Sequence, residues 1–224
     1  MPLKYLLPTI LSLLALTAAT PVVTVTASSA PLPTSPSYTD AGTFQKDMVA
    51  AHNFYRAAHG AKDLVWNETS AEFAKDWAEG CRFEHSGGPT GENLAAGYPN
   101  ASASVDAWGL ERTSYNFKKP TGFSEKTGHF TQLVWGNTTS VGCAVESCQG
   151  ENDTPGFYVV CEYYPPGNVV GNNNQFFKDN VLKQEKGKAT DTVESGITSA
   201  ATRDGVWMAG VLGLAVAMGI GMGL

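Results

Sequence analysis

The chain has 224 residues, 42% of them hydrophobic and 16% charged, with a formal net charge of −6 at pH 7. That length supports one core large enough to fold without a metal, and an acidic balance with no basic cluster argues against nucleic acid as a partner. Four cysteines, Cys81, Cys143, Cys148 and Cys161, include no Cys-x-x-Cys pair; an exported chain would use them as two disulfides, a cytosolic one as free thiols.

The N-terminus chooses between those compartments. Lys4 precedes an apolar run from Leu6 to Leu16, followed by the small-residue sites Thr17-Ala18-Ala19 and Val25-Thr26-Ala27, so residues 1–26 read as a secretory signal peptide. Residues 27–39 are rich in Pro, Ser and Thr and are expected to be an extended linker. Thr43 is placed to cap a helix running to Ala58, with Phe44, Met48, Ala51 and Tyr55 as its buried stripe and Gly60 as its stop. His52 and His59 lie on this segment without an acidic partner and are read as structural. A second helix is expected from Ser70 to Glu79, with Ala74, Trp77, Ala78 and Cys81 facing inward, and a third from Ser102 to Arg112.

Further on, Gly128–Asn137 (GHFTQLVWGN) reads as an amphipathic helical turn with His129 and Leu133 along one line. Val141–Glu146 and Phe157–Tyr164 are β-branched and aromatic and read as an antiparallel hairpin, so the fold class is α+β. The domain is placed at 40–179. From there to residue 199 the composition is polar and aperiodic and is expected to form a disordered stalk. Small residues, a polar spacer and the apolar tail Val206–Leu224 make a glycosylphosphatidylinositol signal over 200–224, with attachment at Ser199. Sequons at Asn67, Asn100, Asn137 and Asn152 agree with export.

Chemistry gathers around His129. His85, expected in a strand, Glu92 in the stretch GENLA and Glu111 on the third helix add one imidazole and two carboxylates, a donor set for zinc or magnesium. No pair has the tight spacing of a helical metal motif, and no Ser or Cys nucleophile stands beside a base. The loop before His129 carries Tyr115, Phe117, Pro120 and Phe123, apolar side chains suited to a plug or to a flat apolar ligand.

Two long stretches carry a family resemblance. Gly128–Trp135 with Asn137 and Thr138, and Tyr158–Asn168 (YVVCEYYPPGN), resemble the two signatures of the CAP superfamily: cysteine-rich secretory proteins, insect venom antigen 5 and plant pathogenesis-related proteins. CRFEHS at Cys81, GENLA at Gly91 and Trp108–Glu111 fall in the family's order, and the likeness covers residues 40–179. Glu162 departs from it, standing where the family has a smaller polar residue such as asparagine; local contacts beside Cys161 are where that change is expected to be felt. The resemblance implies an α-β-α sandwich with a small antiparallel sheet between helical layers. It also implies one cleft uniting His85, Glu92, Glu111 and His129 around zinc or magnesium, and disulfides pairing Cys81 with Cys143 and Cys148 with Cys161. Related fungal proteins bind sterols and others hold fatty acids. The expectation is therefore a secreted, membrane-anchored protein binding a sterol or fatty acid, with Tyr115, Phe117 and Phe123 lining the lipid site. The alternative is a metal-dependent hydrolase or an effector acting on a host surface component.

Overall fold

The structure, a computed structural model, describes residues 35–196. The expected signal peptide, the Ser199 attachment site and the C-terminal tail lie outside the described residues. No helix among the described residues is long and apolar enough to cross a membrane.

A helix starts where some side chain satisfies its first amide groups. For α2 (Ala41–Ala58) that residue is Asp40, whose Oδ1 accepts the Thr43 N–H at 2.7 Å, so the helix begins ahead of the expected cap. Phe44, Met48, Ala51 and Tyr55 form the buried stripe as the periodicity required. A short helix precedes it, α1 (Pro36–Thr39), in the stretch expected to be extended linker. Tyr38 orders it: its ring lies 4.7 Å from that of Phe157, and its hydroxyl shares a hydrogen bond with Ser104 Oγ at 3.0 Å.

The sheet has four strands in the order β1-β3-β4-β2: β1 (Val65–Trp66), β2 (Gly91–Ala96), β3 (Ser140–Ser147) and β4 (Phe157–Tyr164). β1 runs parallel to β3 and the other pairs are antiparallel, which includes the expected hairpin. Side chains alternate between its faces. Leu94, Ala144, Tyr158 and Val160 pack against Ala74 and Ala78 of α3 (Glu68–Ala78). Ala95, Val141, Cys143, Val159, Cys161 and Tyr163 face α2, α4 (Ala101–Leu110) and α5 (Gly128–Leu133). Two cores on one sheet make the α-β-α sandwich. Close approach of α3 leaves no room for a side chain at Gly142, where a Cβ would sit 2.2 Å from Ala71 N and Asn67 O.

Four expectations need correction. Cys143 and Cys161 are directly opposite in the β3–β4 register, with Cα atoms 4.1 Å apart, and pair with each other; Cys81 pairs with Cys148. His85 lies in an irregular loop, not a strand. Trp77 packs against the α3 core as expected but is only half-buried, its indole N–H donating to Glu84 O and the Arg82 guanidinium lying over its ring. The expected stalk is bound to the domain: α6 (Gln175–Asn180) leads into a segment fastened through 196. Glu185 N donates to Ala58 O, Arg112 donates to the Lys188, Ala189 and Asp191 carbonyls, and Asp106 accepts from Val193 N and Glu194 N. Backbone bonds to buried charged side chains do here what an apolar period does elsewhere, so composition gives no sign of it.

Among the sequons, Asn67 and Asn100 cap α3 and α4 through Oδ1. The Asn67 amide also donates to Ser140 Oγ and that of Asn152 to Gly80 O, whereas Asn137 is exposed.

The C-terminal part of the first signature is held by Arg56, fully buried on α2. Nε donates to Lys62 O, Nη1 to Leu133 O and Trp135 O, and Nη2 to Thr138 O, at 2.7 to 3.1 Å. Arg56→Lys keeps the charge but loses the planar fork, stranding several buried carbonyls. It is expected to cost roughly 3 kcal/mol or more in urea unfolding, at about 1–3 kcal/mol per unsatisfied group.

Candidate functional site

A pair of histidines is each tied to one glutamate. His129 opens α5, and its Nδ1 lies 2.7 Å from Glu111 Oε1. Glu111 begins the 3-10 turn Glu111–Ser114 that follows α4, and its Oε2 accepts Phe130 N at 3.0 Å. Thr127, at the N-cap of α5, makes no side-chain cap bond, so Glu111 caps this helix from outside while it orients the imidazole. Trp108 stacks on His129, with ring planes 17° apart.

In the second pair, His85 Nδ1 lies 2.5 Å from Glu92 Oε1. Glu92 stands on β2 and also accepts the Ser86 N–H, at 3.1 and 3.2 Å, which pins the loop carrying His85 to the strand. That hydrogen bond to Glu92 raises the His85 pKa above its ordinary value, against the effect of burial. For Glu92, burial works upward, but bonds from His85, Glu162 and Ser86 together hold the carboxyl below the usual range.

The four expected residues thus meet as two His–Glu pairs, each lining a hollow of about 220–230 Å3. One hollow is lined by His85, Glu92, Thr90, Gln132 and Asn168; the other by His129, Glu111, Trp108, Phe83 and Tyr98. Among the described residues, the one group of three or more His, Cys, Asp or Glu with ligand atoms within 4.8 Å is His52, Cys143 and Cys161, and its cysteines are spent on a disulfide. His52 binds Met48 O and the Tyr163 hydroxyl, and His59 binds Leu182 O, as structural histidines do. The carboxylates act as supports, each binding Nδ1, an arrangement that suits the Nε2 of His85 and His129 as zinc donors.

The loop aromatics also separate. Tyr115 and Phe117 are half-buried, packing on each other and on Phe130, with Phe117 stacked on His59 at 5.7 Å. Phe123 is 53% exposed.

The model of the cysteine-rich secretory protein family, CAP, matches residues 49–163. The chain belongs to this family. It is 47% identical to Protein PRY2 of Saccharomyces cerevisiae over 62% of this chain and 41% of that one. It is 40% identical to Secreted protein RBT4 of Candida albicans, over 63% of this chain and 41% of that one. It is 38% identical to Pathogenesis-related protein PR-1 of Medicago truncatula, covering 58% of this chain and 78% of that one. The chain spans well under half the length of these two fungal relatives. Venom allergen-like protein 4 of Schistosoma mansoni overlays with a TM-score of 0.49 at 23% identity, over 63% of this chain and 95% of that one.

Two further participants were not among the expected site residues. Gln132 is clamped where a Cβ on Gly91 or Gly167 would strike its amide; its Oε1 accepts Gly167 N, and its Nε2, buried, has no partner among the described residues. The other is Glu162, whose consequence lies across the sheet and not beside Cys161. It is the cross-strand partner of Glu92 and fully buried. Thr90 Oγ1 donates to its Oε2, Oε1 is buried without a partner among the described residues, and a side-chain hydrogen bond joins the two acids, Glu162 carrying the proton. Burial first, then the Glu92 carboxylate, push its pKa up to about 8.

This sets a pH signature. The folded chain holds a proton on Glu162 that the unfolded chain, near its ordinary value of 4.5, has released, so this group's contribution to stability falls as pH rises through about 8. Glu162→Gln mimics the protonated acid. In chelator-treated protein its melting temperature is expected to stay near wild type at pH 5 and to exceed it increasingly up to about pH 8. A pH-independent difference would disprove the shared proton.

Proposed function

We propose that the protein is an extracellular lipid-binding member of its family, taking a sterol or fatty acid beneath the loop that carries Tyr115, Phe117 and Phe123. The observation carrying this reading is the Tyr115 hydroxyl, buried with no hydrogen-bond partner among the described residues, with its ring wedged against Phe117 and Phe130. Stranding a hydroxyl costs about 1–3 kcal/mol, so the closed plug is less stable than its apolar area allows. An open loop gives the hydroxyl to water and the exposed aromatic surface to a flat apolar ligand. The relatives named as secreted proteins, the even disulfide set and the N-terminal sequence support an extracellular location.

Tyr115→Phe separates this reading from ordinary packing. Removing the stranded oxygen should raise stability while disfavouring the open loop, and so weaken sterol binding. A shift of 1–2 kcal/mol corresponds to roughly 5- to 30-fold in affinity. A stabilised variant that binds radiolabelled sterol as wild type does would overturn it.

A divalent ion is proposed as a separate feature, held by His85 and His129 with Glu92 and Glu111 as supports. Two imidazoles favour zinc over magnesium. Calorimetric titration with zinc should show binding to wild type and loss in His85→Ala and in His129→Ala. Undiminished binding in both would move the site elsewhere. Chelator-sensitive turnover of peptide or ester substrates, abolished by Glu92→Gln, would favour the hydrolase.

A further inference from the structure

Four exposed apolar side chains stand on segments that the fold brings together. The loop from the 3-10 turn to α5 carries Phe123, 53% exposed; the connection from β4 to α6 carries Val169 at 42% and Val170 at 67%, and the first turn of α6 carries Phe176 at 38%. Asn168 joins the two, its Nδ2 donating to Gly128 O at 2.9 Å and its Oδ1 accepting from Thr131 Oγ1 at 2.5 Å. A Cβ on Gly122 would lie 2.6 Å from Asn174 Oδ1, and one on Gly128 would lie 2.7 Å from the Phe123 ring. The Phe176 ring lies against Gly171, next to Val170. None of the four belongs to either core.

Charge is distributed unevenly around them. Residues 115–128 and 168–180 hold Lys118, Lys119, Lys126 and Lys178 against Glu125 and Asp179, so the two segments sum to +2 and the rest of the −6 chain to −8. All four lysines are exposed, and none makes an ion pair among the described residues. Asp179 accepts a hydrogen bond from Gln175 Nε2 at 2.7 Å. Apolar tips with unpaired cations on the same segments, in a chain otherwise negative, match a surface that is apolar in depth and anionic on top.

We infer that this face docks on an anionic lipid bilayer, with Phe123, Val169, Val170 and Phe176 entering the interface and the lysines meeting lipid phosphates. The inference rests on the lipid-binding reading and gives that ligand a route, since Phe123 belongs to the loop proposed to open.

Sedimentation with phosphatidylcholine vesicles, with and without phosphatidylserine, tests it. Wild type should partition onto the anionic vesicles and be displaced by high salt. Val169→Asp with Val170→Asp should cut that partition roughly tenfold or more, from lost apolar burial and added repulsion. The same variant should bind detergent-solubilised sterol as wild type does, and its comparison with wild type cancels any contribution from the chain's ends. Lys118→Gln with Lys119→Gln should weaken binding to anionic vesicles alone. Equal vesicle binding by wild type and the valine variant, or no dependence on phosphatidylserine, would overturn the inference. Valine-dependent vesicle binding without sterol binding would remove the carrier reading and leave the docking face standing.

Discussion

A single guanidinium, that of Arg56, sets the geometry on which the rest depends. Among the described residues it is buried without an ion pair, and burial lowers its pKa only to about 10, so it stays charged. Its charge is dispersed over four backbone carbonyls, from Lys62 and from the stretch that leaves α5 and enters β3. A buried cation is expensive unless every donor is used, and a fork of fixed shape accepts only one arrangement of those carbonyls. α2, α5 and the central strand are thereby locked together. Glu111 and His129 inherit their separation from that lock.

The carboxylates at the site carry two duties each. Glu111 orients His129 and caps the six-residue helix that His129 opens; Glu92 orients His85 and holds the loop that His85 sits on. Helix start and imidazole orientation therefore respond together when Glu111 changes, and the histidines are the cleaner places to separate fold from chemistry. Glu162 adds a third constraint, since it lets Glu92 keep its charge by holding a proton itself.

Much of this was legible in the sequence where a period or a long signature existed. The α2 stripe from Phe44 to Tyr55 follows the helical repeat, the β3–β4 hairpin alternates, and the site residues fell in family order. What stayed hidden depends on register or on long-range backbone bonds. Cys143 meets Cys161 because two strands align at that residue, a fact that spacing along the chain does not contain. Glu162 meets Glu92 for the same reason. β1 is two residues long, too short for any pattern, and the apolar residues of β2 are consecutive. The segment after 180 has no apolar stripe because it is held by Arg112, Asp106 and His59 instead.

That last attachment changes where the domain can be cut. Ending the chain at 179, where composition changes, would remove the carbonyls of 188, 189 and 191 from Arg112 and the amides of 193 and 194 from Asp106. Two buried charges, Asp106 on α4 and Arg112 beside Glu111, would then lose those hydrogen bonds, Asp106 keeping the one from the Tyr55 hydroxyl. A fragment trimmed by composition would report on a damaged wall of the site, and the smallest faithful unit runs to 196.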